Sequence, residues 1–98
     1  MKIERIEESR ELCSEAGWCA YDIMLGEPIQ EHLILELGKM GDLCYLRKLN
    51  PPFFKIESED RMLKGLEGAK EFRASMPSAH EKEILRAIIS EIEKCTQA

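Results

Sequence analysis

Between Glu71 and Met76 the chain alternates without a break: Phe72, Ala74 and Met76 point one way, Glu71, Arg73 and Ser75 the other. A period of two marks a strand with one dry face and one wet face. Such a strand needs neighbours to complete its hydrogen bonds and a cover for its dry side. The residues before it supply the neighbours. Phe53–Ser58 places Phe54 and Ile56 on one side, Lys55 and Glu57 on the other, and Glu59-Asp60 reads as the turn into a returning strand at 61–67. Gly65 inside that strand predicts a bulge or a close backbone approach. Gly68-Ala69 then turns into the strand at 70–76.

The residues after it supply the cover. Ser78 followed by Glu81 has the spacing of a capping box, in which the hydroxyl takes the N3 amide and the carboxylate reaches back to the N-cap amide. Ile84, Leu85, Ile88, Ile89 and Ile92 then form an apolar stripe at helical spacing, with Glu83, Arg86, Ser90, Glu91 and Glu93 between them. A helix over 78–95, laid on the dry face of the meander, follows.

Residues 42–49 fit two descriptions. As a strand they turn Cys44 and Leu46 inward; as a helix they align Leu43, Leu46 and Leu49 and expose Arg47 and Lys48. Asn50-Pro51-Pro52 ends either version, because prolines donate no backbone hydrogen bond and push the preceding residue extended.

The first 41 residues read as a helical segment. Leu12, Ala16, Cys19, Ala20 and Ile23 gather on one stripe of a helix over 3–25, and Glu4, Glu7, Glu8 and Glu11 crowd its opening turns, where the macrodipole favours negative charge. Gly17 is its weak point, by about 1 kcal/mol relative to alanine; a break there would leave 18–25 as a separate strand. Gly26 and Pro28 suit the end of one helix and the start of the next. Ile29, Leu33, Leu37 and Met40 then repeat at helical spacing up to Gly38 or Gly41. The fold class expected from these elements is α+β: two N-terminal helices, a three- to four-stranded antiparallel meander at 42–76, and a C-terminal helix on one face of the sheet.

Ninety-eight residues, 44% of them hydrophobic and 34% charged, describe one globular domain. No apolar run reaches the roughly 18–20 residues of a membrane span. The opening MKIERIEESRE lacks the apolar core of a signal peptide, so a cytoplasmic location with four reduced cysteines is the expectation. The net charge of −5 is uneven: −6 over residues 1–38, +2 over 39–73 and −1 over 74–98. The sheet is the basic third of an acidic protein.

Motifs that carry chemistry are scarce. The chain has no P-loop, no dinucleotide-binding glycine fingerprint and no nucleophile elbow, and GLEG at 65–68 lacks the lysine of a phosphate cradle. His32 and His80 have no orienting partner or nucleophile nearby in sequence, which favours surface or capping roles. The cysteines form neither a CxxC pair nor a Cys/His quartet, and Cys95, near the end of the last helix, reads as the most accessible thiol. No cofactor is expected.

These residues point to a non-enzymatic interaction module rather than an enzyme. Lys55, Lys64 and Arg73 stand on the wet face of the meander, Arg47 and Lys48 lie just before it, and Trp18 and Phe53 fall outside the core patterns. This set is the candidate surface for a protein partner or a second copy of the chain. Two alternatives belong to other classes. In a winged-helix-like nucleic-acid binder, 28–40 and 42–49 would be the helix-turn-helix and the hairpin at Glu59-Asp60 the wing; the acidic total and acidic wing tip oppose it. In a metal or redox accessory protein, Cys13, Cys19 and Cys44 would converge.

Overall fold

The computed structural model describes residues 2–9 and 17–95. Six strands, β1 (Ile3–Glu8), β2 (Trp18–Leu25), β3 (Asp42–Leu46), β4 (Phe53–Ser58), β5 (Arg61–Leu66) and β6 (Glu71–Pro77), form one antiparallel sheet in the order β1-β2-β6-β5-β4-β3. Helix α1 (Glu31–Leu37), continued by a 3-10 turn at Gly38–Met40, carries the chain from β2 to the far edge at β3. The four strands β3 to β6 then wind back until β6 docks on β2. Helix α2 (Glu81–Lys94) closes the chain.

Both helices lie on one face. Leu33, Ile34 and Leu37 of α1 and Ile84, Ile88 and Ile92 of α2 are buried in one cluster with Ile23, Phe54, Ile56, Leu63, Phe72, Ala74 and Met76 of the sheet. The isoleucine stripe of α2 thus covers the dry face that the alternation defines. Gly65 makes a close approach without a bulge: the β5–β6 register is regular, and a Cβ there would lie 2.8 Å from Phe72 Cβ and 3.1 Å from the Phe54 ring. Gly68, with φ of 92°, turns the chain from β5 into β6.

The expected fold class is overturned. Among the described residues the sheet has six strands rather than three or four, and one helix, not two, precedes the meander. In place of a helix over 3–25 the chain pairs β1 with β2; Leu12 and Ala16 of the expected stripe lie outside the described residues. The misleading feature is physical. In β2, Cys19 and Ile23 face the helices while Ala20, on the opposite face, is also buried, so the apolar residues fall at spacings of one and three instead of two. In β1 an extra residue between Ile3 and Arg5 slips the register, so that Ile3 sits opposite Leu25 and Ile6 opposite Ile23.

Two further expectations change. Residues 42–46 are a strand, with Leu43 and Tyr45 rather than Cys44 and Leu46 turned to the core side, so the second helix of a helix-turn-helix is absent, and the supposed wing (β4 and β5) lies within the sheet. The capping box does not form: α2 begins at Glu81, preceded by a 3-10 turn at Ser78–His80, and neither Pro77 nor His80 makes a side-chain cap. The Glu81 carboxylate is engaged elsewhere.

Candidate functional site: the uncovered face of the sheet

Among the described residues helices cover one side of the sheet and leave the other uncovered, with rows of side chains fixed by strand register. Lys55 of β4 stands directly opposite Lys64 of β5, and Lys64 directly opposite Arg73 of β6. Three cations on three adjacent strands is an arrangement that electrostatics opposes, since like charges facing each other destabilise a sheet. The flanks moderate it in part. Arg73 Nε lies 3.1 Å from Asp22 Oδ1 on β2, and Lys55 Nζ is 4.0 Å from Glu57. Lys64 is exposed and forms no ion pair among the described residues.

Beside the cations lies an apolar row. Leu46 of β3 faces Phe53 of β4, and Phe53 faces Leu66 of β5. Leu46 is 45% and Leu66 40% exposed, and Phe53 is half-buried. The two rows meet in an open groove of about 410 Å³ lined by Phe53, Lys64, Leu66, Glu71 and Arg73 among others. Its walls combine the cations Lys64 and Arg73, the carboxylates Asp22 and Glu71, and apolar surface from Phe53 and Leu66.

The residues singled out from sequence divide among three places. Phe53, Lys55, Lys64 and Arg73 come together on the uncovered face. Trp18 shares that face at its other end, half-buried opposite Pro77, and does not join the groove. Arg47 sits on the helix side, 4.5 Å over the ring of Tyr45 and 2.7 Å from Glu31 of α1, while Lys48 is exposed in the β3–β4 turn. Sequence reasoning missed Leu46 and Leu66. Once β3 and β5 are strands, the parity of 42–46 and 61–66 identifies both.

Sequence reasoning also missed the polar ties on the helix side. Tyr21 of β2 donates to Glu81 Oε2 at 2.8 Å, and the Cys19 thiol donates to the same oxygen at 3.1 Å. The two donors, Cys19 foremost, hold the Glu81 carboxyl below its ordinary value of 4.5. The same bond, aided by burial, pushes the Tyr21 hydroxyl up to about 12. Tyr45 donates to Glu67 Oε1, and desolvation followed by that bond pushes its hydroxyl to about 12 as well. Proton-transfer catalysts are tuned toward neutral pH; these groups are tuned away from it.

The thiols do not converge. Cys19 lies on the helix side, Cys44 is exposed on the uncovered face at the sheet edge, and Cys95 is buried at 7% exposure, its thiol pushed up by desolvation. Cys19 and Cys44 therefore cannot share an ion, and among the described residues no three metal-ligating side chains cluster. Cys13 lies outside those residues. Cys95 is the most enclosed of the three, contrary to the expectation from its place near the chain end. Among the described residues no helix is long and apolar enough to cross a membrane. Comparison with protein-family models, with curated proteins and with solved structures finds no match to this chain.

Proposed function

We propose that the protein is a non-enzymatic interaction module of the cytoplasm whose uncovered sheet face takes an acidic, apolar-bearing segment of a partner protein. The observation that carries this reading is the row Lys55, Lys64 and Arg73 set directly against Phe53 and Leu66. Facing like charges work against folding, and an acidic ligand converts that repulsion into attraction. Phe53, Leu46 and Leu66 supply apolar contact beside it, the combination typical of an interface with a desolvated centre and a charged surround.

A protein partner is favoured over nucleic acid by the charges around the row. Asp22, Glu57 and Glu71 share the same face, and the chain as a whole carries −5. A phosphate backbone needs a longer uninterrupted basic track. The thiols of Cys44 and Cys95, which form no disulfide, accord with a reducing compartment.

The test is an NMR titration with a synthetic octapeptide alternating glutamate and leucine. Its lysine–leucine counterpart and an eight-nucleotide single strand serve as the other arms. Shifts at Phe53, Lys55, Lys64, Leu66 and Arg73 with the acidic peptide alone are expected, weakening as salt is raised. Shifts confined to other residues, no shifts, or equal effects from the lysine peptide overturn the reading. A response of this face to the oligonucleotide alone replaces it with nucleic-acid binding.

A further inference from the structure

The two edges of the sheet are treated differently by the sequence. β1 carries Glu4, Arg5, Glu7 and Glu8 among its six residues and an irregular register at Ile3/Arg5. Charges and bulges are the devices that stop an edge strand from pairing with another chain. β3, with the sequence DLCYL, has neither a bulge nor a lysine or proline, and its one charge is Asp42. Among the described residues, Asp42 to Tyr45 make no backbone hydrogen bond outside the ladder to β4. Their outward-facing donors and acceptors are open to another strand.

The residues around this edge also specify the partner. An acid opens the strand and two bases, Arg47 and Lys48, follow its end. If a second copy pairs antiparallel about Cys44, Asp42 of each copy faces Leu46 of the other on the uncovered face, next to the turn that carries the other's Lys48. Parallel pairing would set like charge against like. Arg47 already serves Glu31 and the Tyr45 ring, which leaves exposed Lys48 as the group to meet Asp42. The same pairing sets Leu43 opposite Tyr45. Because every pair then joins residues of the same parity, the dry face of one sheet continues into the dry face of the other.

We infer that two copies of this chain associate through their β3 edges, antiparallel and two-fold about Cys44, joining the two six-stranded sheets into one. On the uncovered face, the row Arg73, Lys64, Lys55, Cys44 then runs on into its symmetry mate. The pairing stands on the edge itself and does not depend on the acidic-partner reading. Five residues of edge bury less than the ~1,200 Å² of a standard interface, so the association is concentration-dependent.

Sedimentation equilibrium between about 10 µM and about 1 mM covers the range of such weak interfaces. The mass is expected to rise from the 11.3 kDa of one chain toward twice that value. Asp42→Lys and Lys48→Glu should each weaken the dimer about tenfold, and the double variant, which restores opposite charges, should recover it. A second measurement needs no variant. Residues directly opposite in an antiparallel pair have Cα atoms ~4.5–5.5 Å apart, within the ~4.4–6.8 Å of a disulfide. Diamide, which accepts the two electrons and two protons, should therefore oxidise the concentrated wild type to a dimer whose cross-linked peptide joins Cys44 to Cys44. A monomer at every concentration, a dimer indifferent to Asp42→Lys, or a cross-link through other cysteines overturns the inference.

Discussion

Tyr21 and Glu81, 60 positions apart, meet through a hydrogen bond of 2.8 Å that joins β2 to the first residue of α2. The bond ties the N-terminal hairpin to the helix that covers the sheet, and it has a signature at each end of the pH scale. Glu81 is depressed in the folded state, chiefly by Cys19 and then by Tyr21. Its contribution is therefore present above the unfolded value of 4.5 and is lost as pH falls through the lower folded value. Tyr21 is raised to about 12 from 10.0, so its contribution is full below 10.0 and is lost as pH rises through about 12. Absorbance at 295 nm should show neither of the two tyrosines ionising near 10. Glu81→Gln should bring one of them down toward 10 while Tyr45, held up first by desolvation, stays high. If both stay high, the bond to Glu81 is not what raises Tyr21.

Ile88 has no exposed surface and lies in the middle of the α2 stripe. Ile88→Ala should cost about 2–5 kcal/mol, the range for emptying a buried aliphatic site. Ile88→Asp, which places an unpaired charge inside the core cluster that includes Phe54 and Phe72, should abolish the cooperative melt. A Tm near that of the wild type in calorimetry would show that α2 is not docked on the sheet.

Gly65 and Gly68 separate packing from backbone strain. At Gly65 a methyl group meets Phe72 Cβ at 2.8 Å and the Phe54 ring at 3.1 Å, whereas at Gly68 it meets nothing but must adopt φ of 92°. Gly65→Ala should cost roughly 1–3 kcal/mol through overpacking and shift the aromatic resonances of the core. Gly68→Ala should cost about 1–2 kcal/mol and leave those resonances in place. Denaturant melts and one-dimensional NMR check both; an unshifted core in Gly65→Ala would contradict the close approach.

Thiol labelling checks the placement of Cys44, Cys19 and Cys95. In dilute protein, exposed Cys44 should react first with iodoacetamide. Half-buried Cys19, held by Glu81, should follow, and Cys95, with 7% exposure and a thiol pushed up by burial, should come last. Peptide mapping over a time course reads the order. Labelling of Cys95 ahead of Cys44 would mean that the end of α2 is not packed as described.

The parts of the fold that sequence reveals are those where one face is dry and the other wet. Phe72-Arg73-Ala74-Ser75-Met76 has that contrast, and so does the Ile84, Ile88, Ile92 stripe. β2 lacks it. Its Ile23 and Leu25 are buried against the helices while Ala20, facing the other way, is also buried at 7% exposure, so neither side alternates cleanly. β1 has the contrast but loses its period to the slip at Ile3/Arg5. At the site, Lys55, Lys64 and Arg73 were legible as wet-face residues of separate strands. That they face one another is a matter of register, which turn lengths and tertiary pairing decide. Glu81 illustrates the limit: its spacing from Ser78 suits a capping box, yet the Tyr21 hydroxyl, 60 positions away, takes the carboxylate.

Lys64 offers a test in which stability and binding move in opposite directions. It stands between Lys55 and Arg73, so Lys64→Glu replaces two facing like-charge pairs with two opposite-charge pairs. Cross-strand pairs of this kind are worth roughly 0.2–1 kcal/mol each. The side chain is exposed, so little packing is lost in exchange. The variant should therefore melt a few degrees higher than the wild type at low ionic strength, with the gain shrinking as salt screens the face. The same change removes the centre of the basic row and should eliminate the response to the glutamate–leucine peptide. If Lys64→Glu lowers the Tm, the facing cations impose no strain on the sheet, and the case for an acidic partner loses its main support.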